Sequence, residues 1–241
     1  MTVSRPNAAL APQASESTWA DRALSRAEIQ ACIASGAAPP HFERCVLDGL
    51  DLSGLDLSGA RFIDCSMAEA SWERSRLQGS QWTGCKARQA NFHLADLTDA
   101  RFARCDLNNT LWTGSRLGSA MFSEVRLSGA SFQGARMLGL TFEDALMVGV
   151  DLREMSFRKQ TVRRLDLTDA ELGGCDFRDA VFEAGSLRNA NLKNAQFAGA
   201  DLRGVDLGGL SIAHLAQFFK NAVISAEQAC VLIGELGVQV R

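Results

Sequence analysis

Large apolar residues recur at every fifth position over most of the chain. Counted from Phe42 in steps of five, the series runs through 35 positions to Ile212 without an insertion or deletion. Only Ala87 and Val162 in this series are not Phe, Leu, Met, Trp or Ile, and eleven of the 13 phenylalanines fall in it. A frame this regular indicates an internal structural repeat.

A second series of small residues lies two positions before each large one, as at Cys45 and Ala60, and 23 of its 35 members are Ala, Cys, Ser or Thr. The two positions after the large residue are polar or Gly, as in Ser58-Gly59, which is typical of turns. Two inward residues spaced by two require extended backbone. We therefore predict short extended sides joined by corners, so that the chain winds into stacked coils around one continuous core.

The pattern A(D/N)LXX of the pentapeptide repeat family is met at residues 95–97, 190–192 and 200–202. The chain resembles that family over residues 41–212. The resemblance implies the fold class: an all-β solenoid, a right-handed quadrilateral β-helix of about nine coils with twenty residues per coil. At about 4.8 Å per coil, the rod would be roughly 40 Å long.

Short α-helical caps are predicted at both ends of this solenoid. We assign residues 1–16 to a disordered lead, 17–40 to an N-terminal helical cap, 41–212 to the β-helix and 213–241 to a C-terminal helical cap or dimerisation module. Ser25 and Glu28 form a capping-box pattern, with Gly36 as the expected helix end. Ser225 and Gln228 repeat the capping-box pattern at the other end.

The C-terminal segment supplies the candidate cap or dimer residues Phe218, Phe219, Ala229, Leu232, Ile233 and Leu236. The last four have helical spacing, and Gly237 is the expected helix end. This helix either caps the last coil alone or also forms a two-fold dimer. The resemblance supports a homodimer, because family members that act on DNA gyrase dimerise through a C-terminal helical module. The segment AEQACVLIGELGV is similar to the end of that module.

Charge, hydrophobic runs and cysteine content bear on where the protein is located and what it binds. The net charge of 241 residues is −3, which suggests neither a nucleic-acid tail nor a polybasic membrane anchor. There is no run of about 20 apolar residues and no apolar core near the N-terminus typical of a secretory signal. Seven cysteines without such a signal favour reduced thiols. We expect a cytoplasmic protein that binds neither membrane nor nucleic acid directly.

Cys45, Cys65, Cys85 and Cys105 are spaced by twenty residues and should stack on one side of successive coils. Parallel side chains in such a column hold the Cβ atoms too far apart for usual disulfide geometry. A linear column also cannot surround a tetrahedral metal ion. Packing of small reduced thiols is therefore favoured over a redox or metal role.

No catalytic constellation is apparent in the sequence. His41, His93 and His214 are far apart and lack metal-ligand spacing. Many carboxylates occupy positions where they accept hydrogen bonds from turn backbone: Asp51, Asp56, Asp96, Asp166, Asp176, Asp201 and Asp206. We expect no cofactor, no metal and no enzymatic activity.

The basic segment from Arg153 to Arg164 departs from the repeat. Met155 and Gln160 occupy positions of the small series, so the coil should bulge or bend there. The outward positions of the segment hold Arg153, Arg158, Lys159, Arg163 and Arg164. This is either a solvated basic patch on an irregular turn or a site for a partner.

Apolar residues in outward positions form a second departure. They are Leu111, Met121, Leu138, Leu146 and Val148. Clustered outward apolar groups mark interaction surfaces. These residues are therefore candidates for binding a partner protein or for contacting the protein's own terminal segments.

A stiff rod without catalytic residues is most naturally a protein-binding surface. The resemblance implies one hypothesis: gyrase-binding members resemble a DNA duplex in width, shape and charge, and they inhibit gyrase or protect it from quinolone-type drugs. Residues 41–212 carry 23 acidic and 20 basic side chains, which fits poorly with one charge per about 1.7 Å of DNA. Without loop insertions, the chain is more similar to inhibiting members. The alternative is a structural adaptor or effector scaffold, for example one linked to a bacterial secretion system.

Overall fold

The computed structural model describes residues 18–36, 38–210, 217–234 and 237–239. The chain begins with a strand, Thr18–Ala20 (β1), and a helix, Arg26–Ala34 (α1), and its last described helix is Ala226–Gly234 (α2). Eight three-residue strands follow one another at twenty-residue intervals between them: His41–Glu43 (β2), Arg61–Ile63 (β3), Gln81–Thr83 (β4), Arg101–Ala103 (β5), Met121–Ser123 (β6), Thr141–Glu143 (β7), Thr161–Arg163 (β8) and Val181–Glu183 (β9).

The nine strands form one parallel sheet in chain order. Its register advances by twenty residues, with Phe42 opposite Phe62. Parallel bridges of the same spacing define three further sides of each coil, which begin at residues 46, 51 and 56 of the first coil. We number the four sides 1 to 4, side 1 carrying β2–β9. The predicted four-sided β-solenoid is confirmed, with eight full coils over residues 41–200 and half of a ninth to residue 210.

The corners form because one residue in nearly every unit adopts positive φ, for example Gly54 at 69° and Asp64 at 51°. Glycine, Asn and Asp tolerate this conformation best. A carboxylate three residues earlier secures several corners, since the Asp51 carboxylate accepts a hydrogen bond from the Ser53 amide at 2.9 Å. All seven aspartates assigned to this role accept such a bond, which confirms the prediction.

Both inward series pack along the axis of the rod. Aromatic rings stack from coil to coil, and the ring centroid of Phe102 lies 5.3 Å from that of Trp82 and 4.8 Å from that of Phe122. The thiols of the cysteine column are buried and unbridged, and Cys65 Sγ lies 3.4 Å from the Phe42 carbonyl oxygen, as a weak donor. Burial raises the pKa of the Cys175 thiol to about 12. The predicted packing of free thiols agrees with this arrangement.

At two tryptophans of the large series, the residue in the small series supplies a hydrogen-bond acceptor for the indole nitrogen. Trp82 Nε1 donates to the Ser80 hydroxyl and Trp112 Nε1 to the Thr110 hydroxyl, both at 2.8 Å. Each hydroxyl comes from the small position two residues earlier. The small position before Trp72 is alanine, and the buried Trp72 Nε1 has no hydrogen-bond partner.

Part of the segment assigned to the N-terminal helical cap is a strand. α1 begins at Arg26, directly after the predicted capping residue Ser25, and Thr18–Ala20 is a strand that pairs with β2, placing Trp19 opposite Phe42. This strand satisfies the backbone edge of the first coil. The capping box of Ser25 and Glu28 is present, and Ile29 is buried against the core.

The C-terminal cap closes the last described coil. The side-chain amide of Gln228 donates to the carbonyl oxygens of Leu202 (2.8 Å) and Val205 (2.7 Å). Its side-chain oxygen accepts from the Ser225 amide at 2.6 Å, which completes the predicted capping box. The Phe219 ring stacks on Phe197 at 4.5 Å and takes the place of a further coil.

Candidate interaction surface

The outward apolar residues do not form the predicted cluster. Leu111 lies on side 3, Met121 on side 1, Leu138 on side 4, and Leu146 and Val148 on side 2. The interpretation as one patch was wrong because neighbours in sequence turn to different sides every five residues. Leu138 stands apart from the others, since 91% of its surface is exposed.

The basic segment is likewise divided among three sides. On side 3, Arg153 pairs with Asp151 at 2.6 Å. On side 1, Arg163 pairs with Glu183 at 3.1 Å, and Arg164 pairs with Asp144 and Glu143.

Arg158 and Lys159, on side 4, form no salt bridge within the described part of the chain. Arg136, one coil earlier on the same side, has none either. Side 4 therefore carries three positive charges without a salt bridge in the described chain between residues 136 and 159.

Charges of both signs mix on each side of the rod between residues 41 and 210. Side 1 has seven acidic and seven basic residues, side 2 six and four, side 3 five and three, and side 4 five and six. The solenoid thus lacks a continuous acidic stripe over these residues.

The hydrogen-bonded ladder between coils is broken on side 4. Elsewhere the coils bond regularly, as where the Arg136 amide donates to the Ser115 carbonyl at 2.8 Å. The equivalent bonds one coil later, from the Ser156 amide to the Ala135 carbonyl and from the Thr161 amide to the Leu140 carbonyl, are absent. The bridge between residues 136 and 156 is also missing, and β7 and β8 pair only at Glu143 with Arg163.

The break covers side 4 and its corners with sides 3 and 1, and the Gly134 amide at the end of side 3 also lacks the bond to the Arg153 carbonyl that equivalent amides make. Between the same two coils, the Asp151 amide bonds to the Ala130 carbonyl at 2.9 Å and the Leu146 amide to the Val125 carbonyl at 2.9 Å. We call the opening between residues 135–140 and residues 155–161 the side-4 seam. The predicted distortion at Met155 and Gln160 takes this form.

Oversized residues in the small series explain the seam. In the four preceding coils, the small position at this corner holds Ala60, Ser80, Ala100 and Ala120. Leu140 and then Gln160 follow in that column, before alanine returns at positions 180 and 200. Two large side chains stacked in adjacent small positions force the corner outward and separate the coils. Gln160 was singled out from the sequence, but Leu140, which lies one coil earlier in the same column, was missed. Leu140 is the signal that puts the break between these two coils.

A cavity of about 150 Å³ extends from the seam into the core. Its inner wall is formed by Phe122, Phe142, Phe157, Val162 and Leu165, and its outer rim by Ser123, Thr141, Gln160 and Thr161. Val162 stands in a column that otherwise holds aromatic rings from Phe42 to Phe142 and again at Phe182, so its smaller side chain leaves space.

The cap residues divide into inner and outer groups. Phe218, Phe219 and Leu232 pack on the core, and Ala229 is half-buried. Ile233 is exposed, as are its neighbours Val231 and Val238. Leu236 lies outside the described residues, as do Ile212 and His214.

Two further findings concern sites of other kinds. Over the residues described, no group of three or more His, Cys, Asp or Glu side chains is arranged to hold a metal ion. In that same part of the chain, neither helix has the length and apolar character needed to span a membrane.

Family models match much of the chain. One for a pentapeptide repeat region covers residues 40–112, and one for pentapeptide repeats covers 100–139 and 166–209. The chain belongs to the pentapeptide repeat family. The matches leave out residues 140–165, which contain one edge of the side-4 seam. No curated protein sequence matches the chain.

Solved structures of QnrB1, a plasmid-mediated fluoroquinolone resistance protein, share the fold. A trypsin-treated form superposes with a TM-score of 0.73 at 21% identity, covering 83% of this chain and 99% of that one. The full-length protein gives a TM-score of 0.70 at 19% identity, covering 92% and 100%. At this identity the likeness concerns the fold.

Proposed function

We propose that this pentapeptide repeat protein is a non-enzymatic, cytoplasmic binding protein whose partner is DNA gyrase or a related topoisomerase. The observation that carries the proposal is the superposition on QnrB1, which extends over 99% of that chain and so leaves no domain of it unmatched. A fluoroquinolone resistance protein of the same shape makes the target of those drugs the first partner to test.

Charge distribution refines how such binding would work. Each side of the rod mixes acidic and basic residues, and side 4 has an excess of one basic residue over residues 41–210. Mimicry of DNA by a uniform negative charge therefore has little support here. The mixed charges fit better with a partner that binds local patches of the surface and is attracted only by short-range electrostatics.

The supercoiling activity of purified gyrase, measured with and without a quinolone, tests the proposal. We expect inhibition of supercoiling or restoration of drug-inhibited activity at micromolar protein. Heat-unfolded protein is the control for non-specific effects. Unchanged supercoiling and drug response at these concentrations would show that gyrase is not the partner.

We also propose a homodimer through α2. Its support is the division of that helix, with Leu232 buried against the last coil while Val231 and Ile233 remain exposed on it. Light scattering after gel filtration should give a dimer mass, and Ile233→Asp should give a monomer. Leu138→Asp, far from the cap, is the matched control and should remain dimeric. A monomeric wild type would contradict this proposal.

An adaptor or effector scaffold is the second candidate, and the mixed surface together with the exposed Leu138 favours it. It predicts binding to a protein other than a topoisomerase and no effect in the supercoiling assay. The side-4 seam then provides the place to look for such a partner.

A further inference from the structure

The backbone of the side-4 seam has unused hydrogen-bonding groups. The amides of Met137, Gly139, Ser156 and Thr161 lack the inter-coil acceptors that equivalent amides have elsewhere in the solenoid. The carbonyl oxygens of Ala135 and Leu140 likewise accept no such bond. Unpaired strand edges of this kind are where an additional extended chain binds.

The cavity beside the seam offers a place for one apolar side chain. Phe122, Phe142, Phe157, Val162 and Leu165 supply its apolar lining, whereas Thr141, Thr161 and Gln160 supply polar groups. Glu143 and Arg163 also line it, and each is paired with an opposite charge, Glu143 with Arg164 and Arg163 with Glu183. A cavity of about 150 Å³ is large enough for a group the size of a benzene ring. An aromatic or branched aliphatic side chain therefore fits, provided that it enters past the polar rim.

Charge around the seam selects among extended chains. Arg136 and Arg158 flank the opening on side 4, and Lys159 lies at its corner, all three without a salt bridge in the described chain. Over residues 131–160, side 4 carries no acidic residue. An extended chain with Asp or Glu beside its apolar anchor would meet complementary charge.

We propose that the side-4 seam is a docking site for an extended, acidic segment of a partner protein, which places one aromatic or branched apolar side chain in the cavity at Val162. Its backbone pairs with the free amides and carbonyls, and its carboxylates contact Arg136, Arg158 and Lys159. The inference rests on the proposal that the rod binds protein, but not on gyrase being the partner.

Two variants of the full chain remove different parts of this site. Val162→Phe fills the cavity and restores the phenylalanine of its column, so the fold should be kept. Arg158→Glu with Lys159→Glu reverses the charge and leaves the cavity intact. Arg126→Glu is a control for charge reversal away from the seam, because this exposed arginine lies on side 2 and has no salt bridge in the described chain.

Binding is measured with peptides selected for the site. A random 12-residue peptide library displayed on phage is panned on the wild type, with prior removal of phage that bind the heat-unfolded protein. Enriched peptides, labelled with fluorescein, are titrated by anisotropy. We expect an apolar residue flanked by Asp or Glu, and binding weakened about tenfold or more by either seam variant but not by Arg126→Glu.

Hydrogen exchange provides an independent measurement. The amides of Ser156 and Thr161 should exchange faster than those of Arg116 and Met121, their equivalents in an intact coil, and the peptide should slow them. Lack of enrichment, enrichment of basic peptides, or equal binding by all variants would overturn the proposal. So would tight binding of a synthetic peptide of residues 1–17, or protection of these amides by benzene alone.

The gyrase assay is read separately. Peptide binding without any effect on supercoiling would remove gyrase as the partner and leave the docking site in place. The opposite outcome is an effect on supercoiling that is the same for Val162→Phe, together with no enriched peptide. It would support gyrase as the partner and refute the docking site.

Discussion

Truncation of Phe102 tests whether ring stacking holds adjacent coils together. Its side chain is fully buried, stacks on Trp82 and Phe122, and meets two further rings edge-on at 6.3 and 5.5 Å. Phe→Ala in a core costs about 3–5 kcal/mol. Aromatic pairs add about 0.5–1.5 kcal/mol each, partly counted already in that cost. We expect Phe102→Ala to lower the free energy of unfolding by about 4–6 kcal/mol.

Phe142→Ala is the matched control in the same column. Among the rings that the structure describes, this one stacks only on Phe122 (5.2 Å) and meets Phe132 edge-on (5.8 Å), and it also lines the cavity. Fewer contacts are lost there, so the cost should be smaller by about 1–2 kcal/mol. Guanidinium unfolding followed by tryptophan fluorescence reports on this half of the rod. An equal or larger cost at Phe142 would refute the assigned role of stacking.

Three more outcomes are expected. Ala70→Ser should raise the free energy of unfolding by about 1 kcal/mol, because its hydroxyl can accept from Trp72 Nε1; a loss of stability in thermal unfolding would contradict this. Gln228→Ala should destabilise the C-terminal cap by about 1–3 kcal/mol, since two carbonyls lose their donor, whereas Glu227→Ala should change little in the same scan. In a thiol-reagent titration, exposed Cys230 should react in the native protein and the five buried cysteines only after unfolding; fast reaction of all seven would argue against the packed column.

Much of the fold follows from the sequence because the inward slots accept so few residue types. The five-residue frame predicted the core, and the capping boxes at Ser25 and Ser225 predicted both helix starts. β1 escaped prediction because Trp19 lies 23 residues before Phe42, outside the twenty-residue spacing of the coils.

The surface was less predictable from the sequence. Leu111 and Leu146 were grouped as neighbours, although their positions in the twenty-residue coil put them on different sides. Gln160 indicated distortion, but whether a large residue in a small slot bends a turn or parts two coils depends on what stacks on it. The twenty-residue frame places Leu140 in the same column, one coil before Gln160, but the separation of the two coils is seen only in the structure.

The side-4 seam also bears on how cooperatively the rod unfolds. In stacked repeats, each coil is stabilised mainly by its nearest neighbours. Before the seam, rings stack continuously from Phe42 to Phe142; beyond it, a separate stack runs from Phe157 through Phe177 and Phe197 to Phe219. Because coupling is weaker where one stack ends and the other begins, we expect two folding units, of which the C-terminal one opens while the N-terminal one stays intact.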